Sequence, residues 1–125
     1  MQRLLVIFLG LAVSGIAINS AWTADDAGHP PIKLIMKQAF KKPTELQKRV
    51  VKGVADAAET KELLTLFQAL AAQSPPRGEQ DSWQEKTGLL VEAAQAAVAG
   101  EADAGTRLRK AANCAACHKK HKPAK

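Results

Sequence analysis

Residues 114–118 read Cys114-Ala115-Ala116-Cys117-His118, a C-x-x-C-H pattern. This is the attachment pattern of a c-type haem. Two thiols add to the two vinyl groups of one porphyrin as thioethers, and the adjacent imidazole serves the iron as an axial ligand. On a helix, Cys114 lies three residues before Cys117 and four before His118, so all three project from one face. These are the only two cysteines of the chain.

Three other readings of the pair fit less well. A redox C-x-x-C of thioredoxin type follows a strand in a βαβ unit, whereas this one lies in an Ala- and Lys-rich helical stretch. A zinc site needs further ligands from a separate element, and only His118 and His121 are near. A simple disulfide leaves the neighbouring imidazole unexplained.

Working back from the motif, the chain reads as helix after helix. Asp103 or Glu101 opens a last helix that runs through Leu108, Ala111, Ala112 and Ala115 into the motif, and Pro123 stops it. Before it, Trp83, Thr87, Leu90, Val91, Ala94 and Val98 share one side of a helix ended by Gly100. Ser74-Pro75-Pro76-Arg77-Gly78 is a loop. Leu63, Leu66, Phe67 and Leu70 form a stripe behind Asp56 and Glu59, which have capping-box spacing. Ile32, Ile35, Met36, Ala39 and Phe40 form another stripe, interrupted by Pro43. Thr44 is placed to cap a restart carrying Leu46, Val50 and Val54, which Gly53 weakens. Gly28 and Pro30-Pro31 mark Asp25–Pro31 as an extended arm. Four main helices with short connections predict an all-α fold, an antiparallel four-helix bundle with covalently bound haem held near the C-terminal end. Small side chains at 111, 112, 115 and 116 would let a flat ring lie close to the helix, although alanine also serves ordinary helix propensity.

The N-terminal stretch has a leader layout. Arg3 supplies one positive charge, Leu4–Ile18 is apolar or small throughout, and no acidic residue appears before Asp25. A basic segment, an apolar segment and then small residues predict a signal peptide over residues 1–24, cleaved near 21–24, and a haem domain over 25–125. The apolar run is short of the roughly 20 residues that span a membrane. The expected location is therefore exported and periplasmic, with no membrane span after cleavage. An uncleaved N-terminal anchor is the alternative.

The remaining length suits one small domain, which gains from an internal staple such as a covalent macrocycle. The formal net charge is +6, and removing Arg3 with the leader lowers it to +5. Arg107, Arg109, Lys110, Lys119, Lys120, Lys122 and Lys125 crowd around the motif. That cluster is either a solvated face or a means of steering toward acidic redox protein partners. No aromatic residues interleave with these charges, which disfavours nucleic-acid binding.

His118 fills one axial position, and the other decides the function. Without Met1, Met36 is the sole methionine. A methionine on an apolar stripe is commonly a core filler, yet Met/His ligation is a common cytochrome arrangement. His121 lies one turn beyond His118 on the same helix, and nothing positions His29 on the Pro/Gly-rich arm. Met36 is the expected sixth ligand.

A four-helix bundle with C-x-x-C-H near its C-terminal end resembles the class II cytochromes c, the cytochrome c-prime superfamily. Lys122, four residues after His118, matches a basic residue common there. The resemblance implies a first-helix methionine as sixth ligand in low-spin members, and Met36 stands at that place. It also implies high-spin members that bind gases, and frequent dimerisation through exposed helix faces. The chain departs from the family in being short and in interrupting its first helix at Pro43. The resulting expectation is a monohaem electron-transfer protein, not an enzyme, with haem c and iron as cofactors. A five-coordinate protein binding NO or CO is the alternative. No His and Arg pair stands on the first helix to polarise a peroxide.

Overall fold

The computed structural model describes residues 28–125. The 1–24 leader, its cleavage region and the first residues of the arm lie outside them. The described chain is all-helical: α1 (Ile32–Phe40), α2 (Leu46–Val51), α3 (Ala57–Ala71), α4 (Gln80–Val98), α5 (Ala104–Ala111) and α6 (Cys114–His121). The longest two, α3 and α4, pack along each other. Helix α5 lies on α4 and α2, α1 and α2 lie on α3, and α6 rests on α4. Among the described residues no helix is long and apolar enough to cross a membrane.

Proline decides where α1 begins. Pro31 has an extended ψ of 144° and its carbonyl accepts from Leu34 and Ile35. The α1 stripe then divides by depth: Ile35 and Ala39 are fully buried, and Ile32, Met36 and Phe40 are half-buried.

Thr44 does not cap α2. Its hydroxyl donates to the carbonyls of Gln38 (2.7 Å) and Lys41 (3.2 Å), closing the end of α1 instead. Glu45 occupies the cap position of α2 with φ 41° and no side-chain capping bond. Helix α2 ends at Val51, so Val54 lies beyond it and is exposed. Arg49 reaches back across this turn and grips Glu59 with both branches of its fork, at 2.9 and 3.0 Å. Those bonds hold the Glu59 carboxyl below its usual pKa, aided by the backbone amide of Asp56.

Asp56 and Glu59 form the full capping box. The Glu59 amide donates to Asp56 Oδ1 (2.8 Å) and the Asp56 amide donates to Glu59 Oε2 (2.9 Å). Behind it, Leu63, Leu66, Phe67 and Leu70 turn inward, opposite Trp83, Thr87, Leu90 and Ala94 of α4. Val98, expected on that stripe, is exposed at the last residue of α4. Gly100, at φ 75°, ends α4: its amide donates to Ala97 and that of Glu101 to Ala96. This is the Schellman pairing, in which glycine takes the left-handed position without a Cβ penalty.

The last helix is two helices, not one. Intrahelical pairing stops at Ala112, and the Asn113 side chain accepts from the Ala116 amide at 3.1 Å. A short polar side chain thus offers the backbone an alternative to helix continuation and starts α6 afresh. Leu108 anchors α5 in the core, while α6 buries only His121.

Phe67 is fully buried at the centre and stacks on Phe40 with ring centroids 5.8 Å apart. Replacing Phe67 with alanine should destabilise the fold by about 3–5 kcal/mol, measured by denaturant unfolding. A loss below about 1 kcal/mol would show that this ring is not the keystone of the core.

Candidate haem site

Five helices border an apolar cleft. Its walls are Met36 and Phe40 of α1, Leu70 of α3, Lys86, Leu89 and Leu90 of α4, Ala111 of α5, and Cys114, Ala116, Cys117 and His118 of α6. Its volume is about 290 Å³, just below the roughly 300–1,000 Å³ usual for ligand sites. The α6 face carrying the motif therefore looks onto the residue chosen as second axial ligand, from a helix nearly eighty residues earlier.

Local structure explains each contribution. Met36 and Phe40 are four apart on α1, hence one above the other on the same face. Both are half-buried because this part of the stripe meets the cleft rather than another helix. Leu70 and Leu90 are buried at its floor. Ala111, Ala112 and Ala116 bring the backbone near the opening, since no larger side chain intervenes.

Cys114 is exposed, Cys117 is half-buried, and the two are not bridged to each other. Burial pushes the Cys117 thiol above its ordinary pKa, an effect offset in part by the charge of Lys86 and reinforced by Cys114. Desolvation disfavours the thiolate more than a lysine at the rim favours it. Both sulfurs thus stand at the edge of an apolar space. His118 lines the same cleft and is itself exposed.

The alternative histidines are elsewhere. His29 is exposed on the arm and does not line the cleft. His121 is 2% exposed, and both ring nitrogens are engaged by Arg77 and Ser82. Among the described residues, no three His, Cys, Asp or Glu side chains gather where they could hold an ion by themselves.

A flat, largely apolar macrocycle suits this donor set. The cleft supplies hydrocarbon and aromatic walls, two thiols at the lip, an imidazole beside them and a thioether on another helix. All three groups that haem c requires of the chain, two thiols and an axial base, share one boundary.

Lys41, just after α1, Lys86 of α4 and Lys110 of α5 also border the cleft. Lys110 belongs to the basic cluster read from the sequence; Lys41 and Lys86 do not. The register of α4 carries the missing signal, because Lys86 lies one turn before Leu90. Arg107 leaves the cluster in part, being paired with Glu101 at 2.8 Å. Comparison with protein-family models, curated proteins and solved structures returned no match.

Proposed function

We propose that this chain is an exported, monohaem c-type cytochrome that carries electrons, with the four-helix organisation of the class II cytochromes c. In that arrangement α1 with α2, and α5 with α6, are two interrupted legs beside α3 and α4. The observation that supports it is that Met36, Cys114, Cys117 and His118 all line the same cleft. Export is supported by the leader layout of residues 1–24.

When bound, haem supplies a one-electron ferric/ferrous couple. The chain's own residues do the rest. Cys114 and Cys117 would anchor the ring through their sulfurs and so retain it in either oxidation state. His118 would offer a ring nitrogen to the iron, and Met36 its thioether sulfur. Phe40, Leu70 and Leu90 keep water from the interior side. Their low polarity and a Met/His pair would both favour the ferrous state and raise the potential. If His118 and Met36 both bind the iron, no site is left open for substrate, and outer-sphere electron transfer through an exposed edge would be the chemistry supplied.

The rim lysines at 41, 86 and 110, with Lys119, Lys120 and Lys122 on and after α6, present positive charge around that edge. They suit an acidic redox partner met by electrostatic steering. Reduction by such a partner should slow as the Debye length falls from about 30 to about 10 Å with added salt. A rate independent of salt would remove this docking surface from the account.

Met36→Ala separates the carrier from a gas-binding protein. The oxidised native protein should be low-spin and show the weak near-infrared sulfur-to-iron band. The variant should lose that band, become high-spin, bind carbon monoxide readily and have a lower potential. A native protein already high-spin and open to carbon monoxide, and unchanged by Met36→Ala, would establish the gas-binding reading instead.

A further inference from the structure

The C-terminal end of α6 is tied to the α3–α4 connection and the first turn of α4 by contacts that nothing in the haem chemistry requires. His121 Nδ1 donates to the Arg77 carbonyl at 2.8 Å. In the neutral ring this leaves Nε2 to accept from the Ser82 hydroxyl, 3.1 Å away. The imidazole is 2% exposed and meets Trp83 edge-on, with centroids 5.4 Å apart and planes at 76°. Trp83 is fixed in turn by its indole N–H, which donates to the Gln73 carbonyl at 2.7 Å.

Arg77 closes the arrangement from the other side. Its guanidinium donates to the carbonyls of Lys119 (2.6 Å) and Lys120 (3.3 Å). These belong to the last turn of α6, where carbonyls lack intrahelical partners and the helix end is electronegative. Gly78, at φ 84°, lets the loop backbone come this close. A Cβ there would lie 2.8 Å from the Lys120 oxygen and 3.0 Å from His121 Nδ1.

A leucine at 121 would fill the same space and set only the depth of α6. An imidazole bonded at both nitrogens also sets its rotation, because hydrogen bonds are directional. Rotation of α6 is what aims His118, three residues earlier on the same eight-residue helix. We propose that His121 is a positioning residue. Together with Arg77 and Ser82 it locks the end of α6 to the α3–α4 connection and the first turn of α4, and so would fix the orientation of the His118 ring at the iron. The proposal rests on the haem reading above.

The test uses haem-loaded protein in four variants: His121→Ala, His121→Asn, Ser82→Ala, and Leu63→Ala as a core control. Leu63 is fully buried in α3 and does not line the cleft. Two measurements are made. Amide exchange of α6 reports the lock itself, and the spread of the ferric haem-methyl proton shifts reports the plane of the axial imidazole.

His121→Ala should raise exchange in α6 about tenfold, the loss of roughly one buried hydrogen-bonding partner, and should change the haem-methyl pattern. His121→Asn, which retains a donor toward the Arg77 carbonyl, should return both most of the way. Leu63→Ala should lower global stability yet leave the methyl pattern as in the native protein. If His121→Ala matures poorly, Ser82→Ala carries the same criteria, with a smaller change in the same direction. An unaltered methyl pattern in covalently loaded His121→Ala or Ser82→Ala protein would overturn the proposal, as would an equal change in Leu63→Ala. Failure of the native protein to hold covalent haem would instead overturn the haem reading, and is seen before any variant is compared.

Discussion

A helix of eight residues is too short to hold itself in water, where about 12–15 residues are needed for even marginal stability. Helix α6 has that length and carries every thiol of the chain together with the motif histidine. It is therefore held from outside. Asn113 caps its start; Arg77 secures its end at the Lys119 carbonyl and, with Ser82 and Trp83, through His121. Its middle faces the cleft, where the protein itself offers little to pack against. Sulfur linkages from Cys114 and Cys117 to a macrocycle would complete the restraint at the point where protein contacts are sparse.

The same constraint shapes the core. Ile35, Phe67, Leu70 and Leu90 form a packed centre, and the stacked pair of Phe67 and Phe40 extends it to the cleft wall. There the packing stops short: Met36, Phe40 and Cys117 stay half-buried. A small domain gains stability mainly by burying apolar surface, and has little to spare. An apolar ring seated on these side chains would act as the missing part of the core, coupling stability of the fold to retention of the cofactor.

Much of this was legible because the signals are local. The C-x-x-C-H spacing, the Asp56–Glu59 capping box and the glycine stop at Gly100 each depend on neighbours within one turn. The placing of Met36 needed only a helical period and a count of methionines. The features that escaped depend on competition or on distance. Ala111–Ala116 looks like an uninterrupted helix, and only the Asn113 side chain, bonding the Ala116 amide, divides it. Thr44 had two helix ends within reach and closed the earlier one. His121 finds its partners about forty residues away, so no local pattern separates it from an exposed histidine in a basic tail. Val54 and Val98 followed the period of their stripes but fell where the helices had ended or left the core.

The central claim is that Cys114 and Cys117 hold a haem whose iron faces His118 and Met36. Its most direct test is the intact mass of protein exported from a host competent in c-type cytochrome maturation. The account predicts a chain lacking about the first 24 residues, heavier by one haem, with neither thiol open to alkylation. A mass equal to the polypeptide alone, with two free thiols or with two hydrogens fewer for a disulfide, would contradict it.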